Sequence, residues 1–153
     1  MTTTDDTAVE VHRRIQARPA TVFSFFTDPA RWLRWQGVDA TIEPMPGGEF
    51  RMNVVGDGYA SGRFIEVDPP KRIVFSWGWE IAGNPVPPGS SVVEIDLEPD
   101  GDATLVRLTH RGLVLPARDQ HREGWGHYLE RLEVAATGGD PGPDPWLAVG
   151  PGE

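Results

Sequence analysis

The stretch EGWGHYLERLE, residues 123–133, decides how the fold is read. With Trp125 set at zero and about 100° per residue, Leu129, Leu132, Ala136 and His121 fall within about 40° of it, and Tyr128 stands at the edge. Glu123, His127, Glu130 and Arg131 take the opposite side, as a solvated face should. This spacing predicts an amphipathic helix from about Pro116 to Ala136. Gly124 and Gly126 flank the apolar stripe, although each costs a helix interior about 1 kcal/mol relative to alanine. A steric reading follows: without side chains on its flanks, the helix sinks between the raised edges of something concave and lays Trp125 on the floor.

The rest of the chain supplies that concave partner. Val9, Val11, Arg13 and Ile15 alternate with Glu10, His12, Arg14 and Gln16, a strand pattern with an arginine on its apolar side. The period then changes: Pro19 opens one short helix, and Asp28 followed by Pro29 caps a second, ended by Gly37. Six more strands are predicted at 38–44, 49–55, 59–67, 73–80, 92–98 and 103–112, with the glycines of PGGEF and GDG (residues 56–58) as turns. The order strand, two helices, six strands, long helix defines an α+β fold: a seven-stranded curled antiparallel sheet around the C-terminal helix. A straight helix does not fill a curled sheet, and the gap between them is a natural ligand pocket. Residues 8–137 form one domain on this reading. Residues 1–7 are expected to fray and 138–153, rich in glycine and proline, to form a flexible tail, with Trp146 and Leu147 as its candidates for docking.

Composition narrows the function. The 153 residues carry a formal charge of -9, which disfavours nucleic acid and anionic membranes as partners. Zero cysteines exclude disulfides, a thiol nucleophile and thiolate zinc sites. No apolar run approaches the ~20 residues of a membrane span, and the start lacks the pattern of a secretory signal, so a cytoplasmic location is expected. There is no G-x-S-x-G and no phosphate loop, and neither catalytic residues nor a cofactor are assigned.

The pieces RRIQARPATVFSFFTDPARWLRWQG, PGGEFRM, SGRFIEVDPPKRIVFSW and ATLVRLTH, with the GW and LERL of the last helix, lie in order over about residues 9–135. Together they resemble the START-like (SRPBCC, helix-grip) superfamily and, within it, homologues of the activator of the heat-shock-protein-90 ATPase. One departure is that the family often has a tryptophan pair before the glycine, where this chain has Trp35 and Gln36. The resemblance implies a fold and a cavity rather than a reaction. Its relatives include carriers of hydrophobic molecules and polyketide cyclases, and a chaperone partner follows from the family name alone.

The leading expectation is a binder of a small hydrophobic molecule, aromatic or lipid-like, between sheet and helix. A cyclase- or dehydratase-like enzyme and a co-chaperone or stress-response regulator are the alternatives, and a homodimer is left open. The expected lining comprises Trp35 on the helix pair; Phe50, Met52 and Val54; Phe64; Phe75 and Trp77; Val93 and Ile95; and Trp125 and Leu129 on the long helix. His110 and His121 are expected to face each other near the cavity, able to hold a ligand carbonyl or act as a base. No third ligand accompanies them, so no metal is assigned. Arg13, if buried, needs a partner, and Glu66 is the candidate.

Overall fold

The computed structural model describes residues 8–147 apart from Asp57. Residues 1–7, expected to fray, lie outside the described residues, as does the middle of the GDG turn. The elements run β1 (Val9–Ile15), α1 (Pro19–Ser24), α2 (Pro29–Trp32), β2 (Asp39–Ile42), β3 (Glu49–Asn53), β4 (Tyr59–Asp68), β5 (Arg72–Trp77), β6 (Ser91–Asp100), β7 (Ala103–Arg111) and α3 (Leu115–Ala136). The seven strands form one antiparallel sheet in the order β1-β7-β6-β5-β4-β3-β2. A register shift in β4 between Phe64 and Glu66 increases the twist, and the sheet curls toward α3.

Local chemistry explains the boundaries. The Asp28 side chain accepts a hydrogen bond from Ala30 N at 2.9 Å and caps α2, whose first residue is Pro29. Gly37 follows with φ of 86°, and a Cβ there would lie 2.9 Å from the Met52 side chain, so glycine answers both a left-handed backbone and a close approach. The strands bury alternate residues, as half-buried strands must. On the outer face Arg72 holds Glu94 and Asp96, each at 2.8 Å, and Glu66 at 3.3 Å; Arg111 holds Glu94 as well. Opposite charges facing each other across strands keep this face wet and paired.

Rings fill the concave side at the α1–α2 end. Trp32 and Trp35 stack at 5.6 Å, Phe26 meets both edge-on, and Phe50 and Phe75 lie 4.5 Å apart. Buried Gln36 accepts from Trp32 Nε1 at 2.8 Å, so the residue standing in for a second tryptophan satisfies the first. Each fully buried side chain of this size contributes about 1.5–3 kcal/mol.

Two expectations are corrected. Residues 138–147 are not a free tail: they fold back on α3, and Asp144 is buried. Residues 148–153 lie outside the described residues. The glycines of α3 do not serve close packing either, since a Cβ added at Gly124 or Gly126 would meet, beyond its own helix backbone, no atom of the described residues within 4 Å.

Candidate ligand cleft

Past the stacked tryptophans the rings stop filling the space, and a cleft of about 280 Å³ opens between α3, β5 with its following loop, and the folded-back segment. Its aromatic walls are Trp77 and Trp79 from the sheet side, Trp125 and Tyr128 from α3, and Trp146. Val54, Ile81, His121, Gly124 and Gln36 complete the principal surface. No Lys, Arg, Asp or Glu is among the described residues lining it.

The local geometry is fixed by a relay of polar bonds behind those walls. Trp125 Nε1 donates to His110 Nδ1 at 2.9 Å, which leaves Nε2 of His110 to carry its proton. That proton goes to Ser91 Oγ at 2.8 Å, and Ser91 in turn donates to the Trp77 carbonyl at 2.8 Å. In parallel, Trp79 Nε1 donates to His121 Nε2 at 3.1 Å, and His121 Nδ1 donates to Ala117 O at 2.8 Å. The two imidazoles meet edge-on with centroids 5.1 Å apart.

Burial sets their charge. Burial pushes His110 well below its ordinary value, and the nearby His121 adds to the shift. Burial also lowers His121, against the opposing bond to Ala117. Both rings are neutral at pH 7 and every nitrogen has a partner, so neither has a lone pair left over to take a proton from a substrate. The buried indole N–H of Trp77, whose ring packs against those of Phe50, Phe75, Trp79, His110 and Trp125, has no hydrogen-bond partner among the described residues.

Of the side chains expected from sequence to line a cavity, Val54, Trp77, His121 and Trp125 reach the cleft. Trp35, Phe50, Met52, Phe64, Phe75, Val93, Ile95 and Leu129 do not, because they interdigitate into closed core. His110 lies behind Trp125 and orients it rather than facing the space. Arg13 sits elsewhere. Its partner is Glu133 at 2.7 Å, not Glu66, because β1 is an edge strand beside α3 whereas Glu66 stands four strands away on β4 and is held by Arg72. Both partners are about one-third exposed, at 34% and 35% of their side chains, and this pair holds the end of α3 to β1.

Trp79, Tyr128 and Trp146 were not among the expected lining. Trp79 continued the alternation of Phe75 and Trp77 and was visible there, and Tyr128 stood at the margin of the helix stripe. Trp146 carried no periodic signal, since it belongs to an irregular segment.

A curled antiparallel sheet holding a long C-terminal helix over a lateral cleft defines the START-like, helix-grip class. Residues 16–137 match the family described as Activator of Hsp90 ATPase homolog 1-like protein, and the chain belongs to that family. An AHSA1-like protein of Rhizobium etli, solved in solution, is 47% identical over 97% of this chain and 94% of its own, with a TM-score of 0.68. CalU16 of Micromonospora echinospora is 30% identical over 86% of this chain and 76% of its own, with a TM-score of 0.69. DynU16, from the dynemicin biosynthetic locus, shares the fold at a TM-score of 0.78 and 24% identity, covering 92% of this chain and 51% of that one. The human activator of 90 kDa heat shock protein ATPase homolog 1 is 27% identical over 110 residues, 72% of this chain, which spans about a third (31%) of the human protein. No helix among the described residues is long and apolar enough to cross a membrane.

Proposed function

We propose that this protein binds a small, uncharged, aromatic molecule in the cleft between β5 and α3 and does not itself transform it. The observation that carries this reading is the wall of four tryptophans and a tyrosine with no ionic residue among the described residues lining it. Aromatic walls favour a flat apolar ligand through area burial and ring contacts. A charged ligand entering there would lose hydration without gaining a counter-ion. At about 280 Å³ the space is at the small end for ligand pockets, which favours a two-ring aromatic over an extended lipid chain. The binding unit on this reading is residues 8–137 together with the folded-back segment that carries Trp146. The cyclase- or dehydratase-like alternative is disfavoured by two histidines whose nitrogens are all engaged.

The test compares 2-acetylnaphthalene with 2-naphthoate, a neutral and an anionic molecule of similar outline, by titration of the indole N–H resonances. The neutral compound is expected to shift Trp79 and Trp125 and to bind at least about tenfold tighter than the carboxylate. Absence of binding by either compound, or tighter binding of the carboxylate, overturns the reading.

A co-chaperone role has one supporting observation, the similarity to the human activator. Recovery of an Hsp90-type chaperone on the immobilised protein would favour it, and a clean pull-down would remove it.

A further inference from the structure

The family match ends at residue 137, yet one wall of the cleft comes from beyond it. Trp146 lies on an irregular segment that returns along α3 and stacks face to face on His127, with centroids 3.8 Å apart and planes 11° from parallel. Beneath that stack Asp144, only 8% exposed, gathers three hydrogen bonds: from Tyr128 Oη at 2.7 Å, from His127 Nε2 at 2.8 Å and from the Trp146 backbone N–H at 2.9 Å. Burial alone would raise the carboxyl's pKa. Those donors outweigh it and hold Asp144 below its ordinary value, so it is ionised at neutral pH. Farther back, Arg131 donates to the carbonyls of Gly142 at 2.8 Å and Pro141 at 3.4 Å, and also to Trp35 O at 3.1 Å.

These bonds differ in kind from those that hold the rest of the cleft. The other walls come from α3, β5 and the loops after β3 and β5, and Val54, Trp77, Trp79, Trp125 and Tyr128 among them are continuous with the core. The segment has no regular structure between residues 138 and 147, and it carries glycines with left-handed backbone at 138 and 142. Few side chains therefore hold it: His127 and Tyr128 converge on the Asp144 carboxylate, and Arg131 holds the carbonyls of Pro141 and Gly142. Segments with little apolar burial and a small set of hydrogen bonds open independently of the fold.

We infer that residues 140–147 form a latched flap over the cleft, with Asp144 as the latch and Trp146 as the movable wall that admits and retains the ligand. This rests on the cleft being the binding site, as proposed above. A flap outside the family match makes ligand entry and retention a feature of this chain and of relatives that share the segment, not of the family at large.

Two readouts separate the flap from the site. The first needs no ligand. Trp146 is 40% exposed when closed, so the readout is its ring contact: its indole N–H resonance, assigned from Trp146→Phe, is expected in Asp144→Ala to lose the shift that stacking on His127 imposes, while those of Trp32, Trp35 and Trp125 stay in place. If Asp144→Ala does not fold, Asp144→Asn keeps the shape and removes the charge. The second is stopped-flow binding of the neutral fluorophore Prodan. With the latch removed, association and dissociation are both expected to accelerate about tenfold or more, because the lost bonds are to a charged acceptor. An unmoved Trp146 resonance overturns the flap whatever the ligand does. Faster dissociation with unchanged association also overturns it, since the segment is then a fixed wall. A moved resonance with no Prodan binding to either protein leaves the latch standing and removes the cleft as the binding site.

Discussion

The indole nitrogen of Trp125 donates to Nδ1 of buried His110 at 2.9 Å, and this bond joins the long helix to the penultimate residue of the last strand. The helix is thus positioned by a directional bond as well as by apolar contact. A rotation of about one residue around its axis would strand a donor and an acceptor together in the core. The bond also aims the face of Trp125 at the cleft, so the wall of the site and the register of the helix have one cause.

Trp125→Phe keeps an aromatic ring at this place but leaves His110 Nδ1 unpaired and a void beside it. We expect a loss of about 2–4 kcal/mol in denaturant unfolding, from the orphaned acceptor and the cavity together. The cost should shrink by about 1 kcal/mol or more in a His110→Leu background, where no acceptor remains to be orphaned. Equal costs in both backgrounds would show that the bond contributes nothing.

Protonation of the histidine pair gives stability a pH dependence with a definite sign. His110 and His121 have folded-state pKa values lowered from 6.5, so below about 6.5 the unfolded chain binds protons that the folded chain refuses. Their contribution is complete above pH 6.5 and falls away as pH drops from there toward the folded values, at a limiting slope of about 1.4 kcal/mol per pH unit for each histidine. Equilibrium unfolding between pH 7.5 and 5 should show this decline, and His110→Gln should flatten it. Constant stability across that interval would mean that the rings charge freely in the fold.

Much of this architecture was legible in sequence because alternation and helical spacing report directly on burial. The strands containing Phe75 and Trp77, Val93 and Ile95, and Val106 and Leu108 point those residues inward as read, and the stripe of Trp125, Leu129 and Leu132 is buried as a unit. Periodicity, however, says which face is covered and not whether space remains behind it. Phe50, Phe64 and Trp35 therefore read the same as Trp77, although only Trp77 borders the cleft. Side-chain pairs distant in sequence were equally hidden: Arg13 has carboxylates available on several elements, and only strand order selects Glu133. The segment at 140–147 was illegible for a third reason. Its glycines and prolines resemble those of a linker, and the interactions that order it are long-range ones with α3: Asp144 under a tyrosine and a histidine, and Arg131 on two backbone carbonyls.

The two glycines of α3 give the sharpest division between a packing role and a role in the cleft. Had they been selected for close approach to the sheet, alanine at either place would collide. Instead a Cβ at 124 or 126 has, beyond its own helix backbone, no atom of the described residues within 4 Å, so Gly124→Ala and Gly126→Ala should each stabilise the helix, by up to about 1 kcal/mol, through backbone entropy. The glycines part company in binding, because Gly124 borders the cleft and Gly126 is not among its lining residues. Gly124→Leu would project a side chain into the space a ligand needs, and its affinity for 2-acetylnaphthalene should fall at least about tenfold with stability retained. Gly126→Ala should bind as the parent does. Wild-type affinity in Gly124→Leu would show that the ligand sits elsewhere, and destabilisation by both alanines would restore the packing role that the open space around them denies.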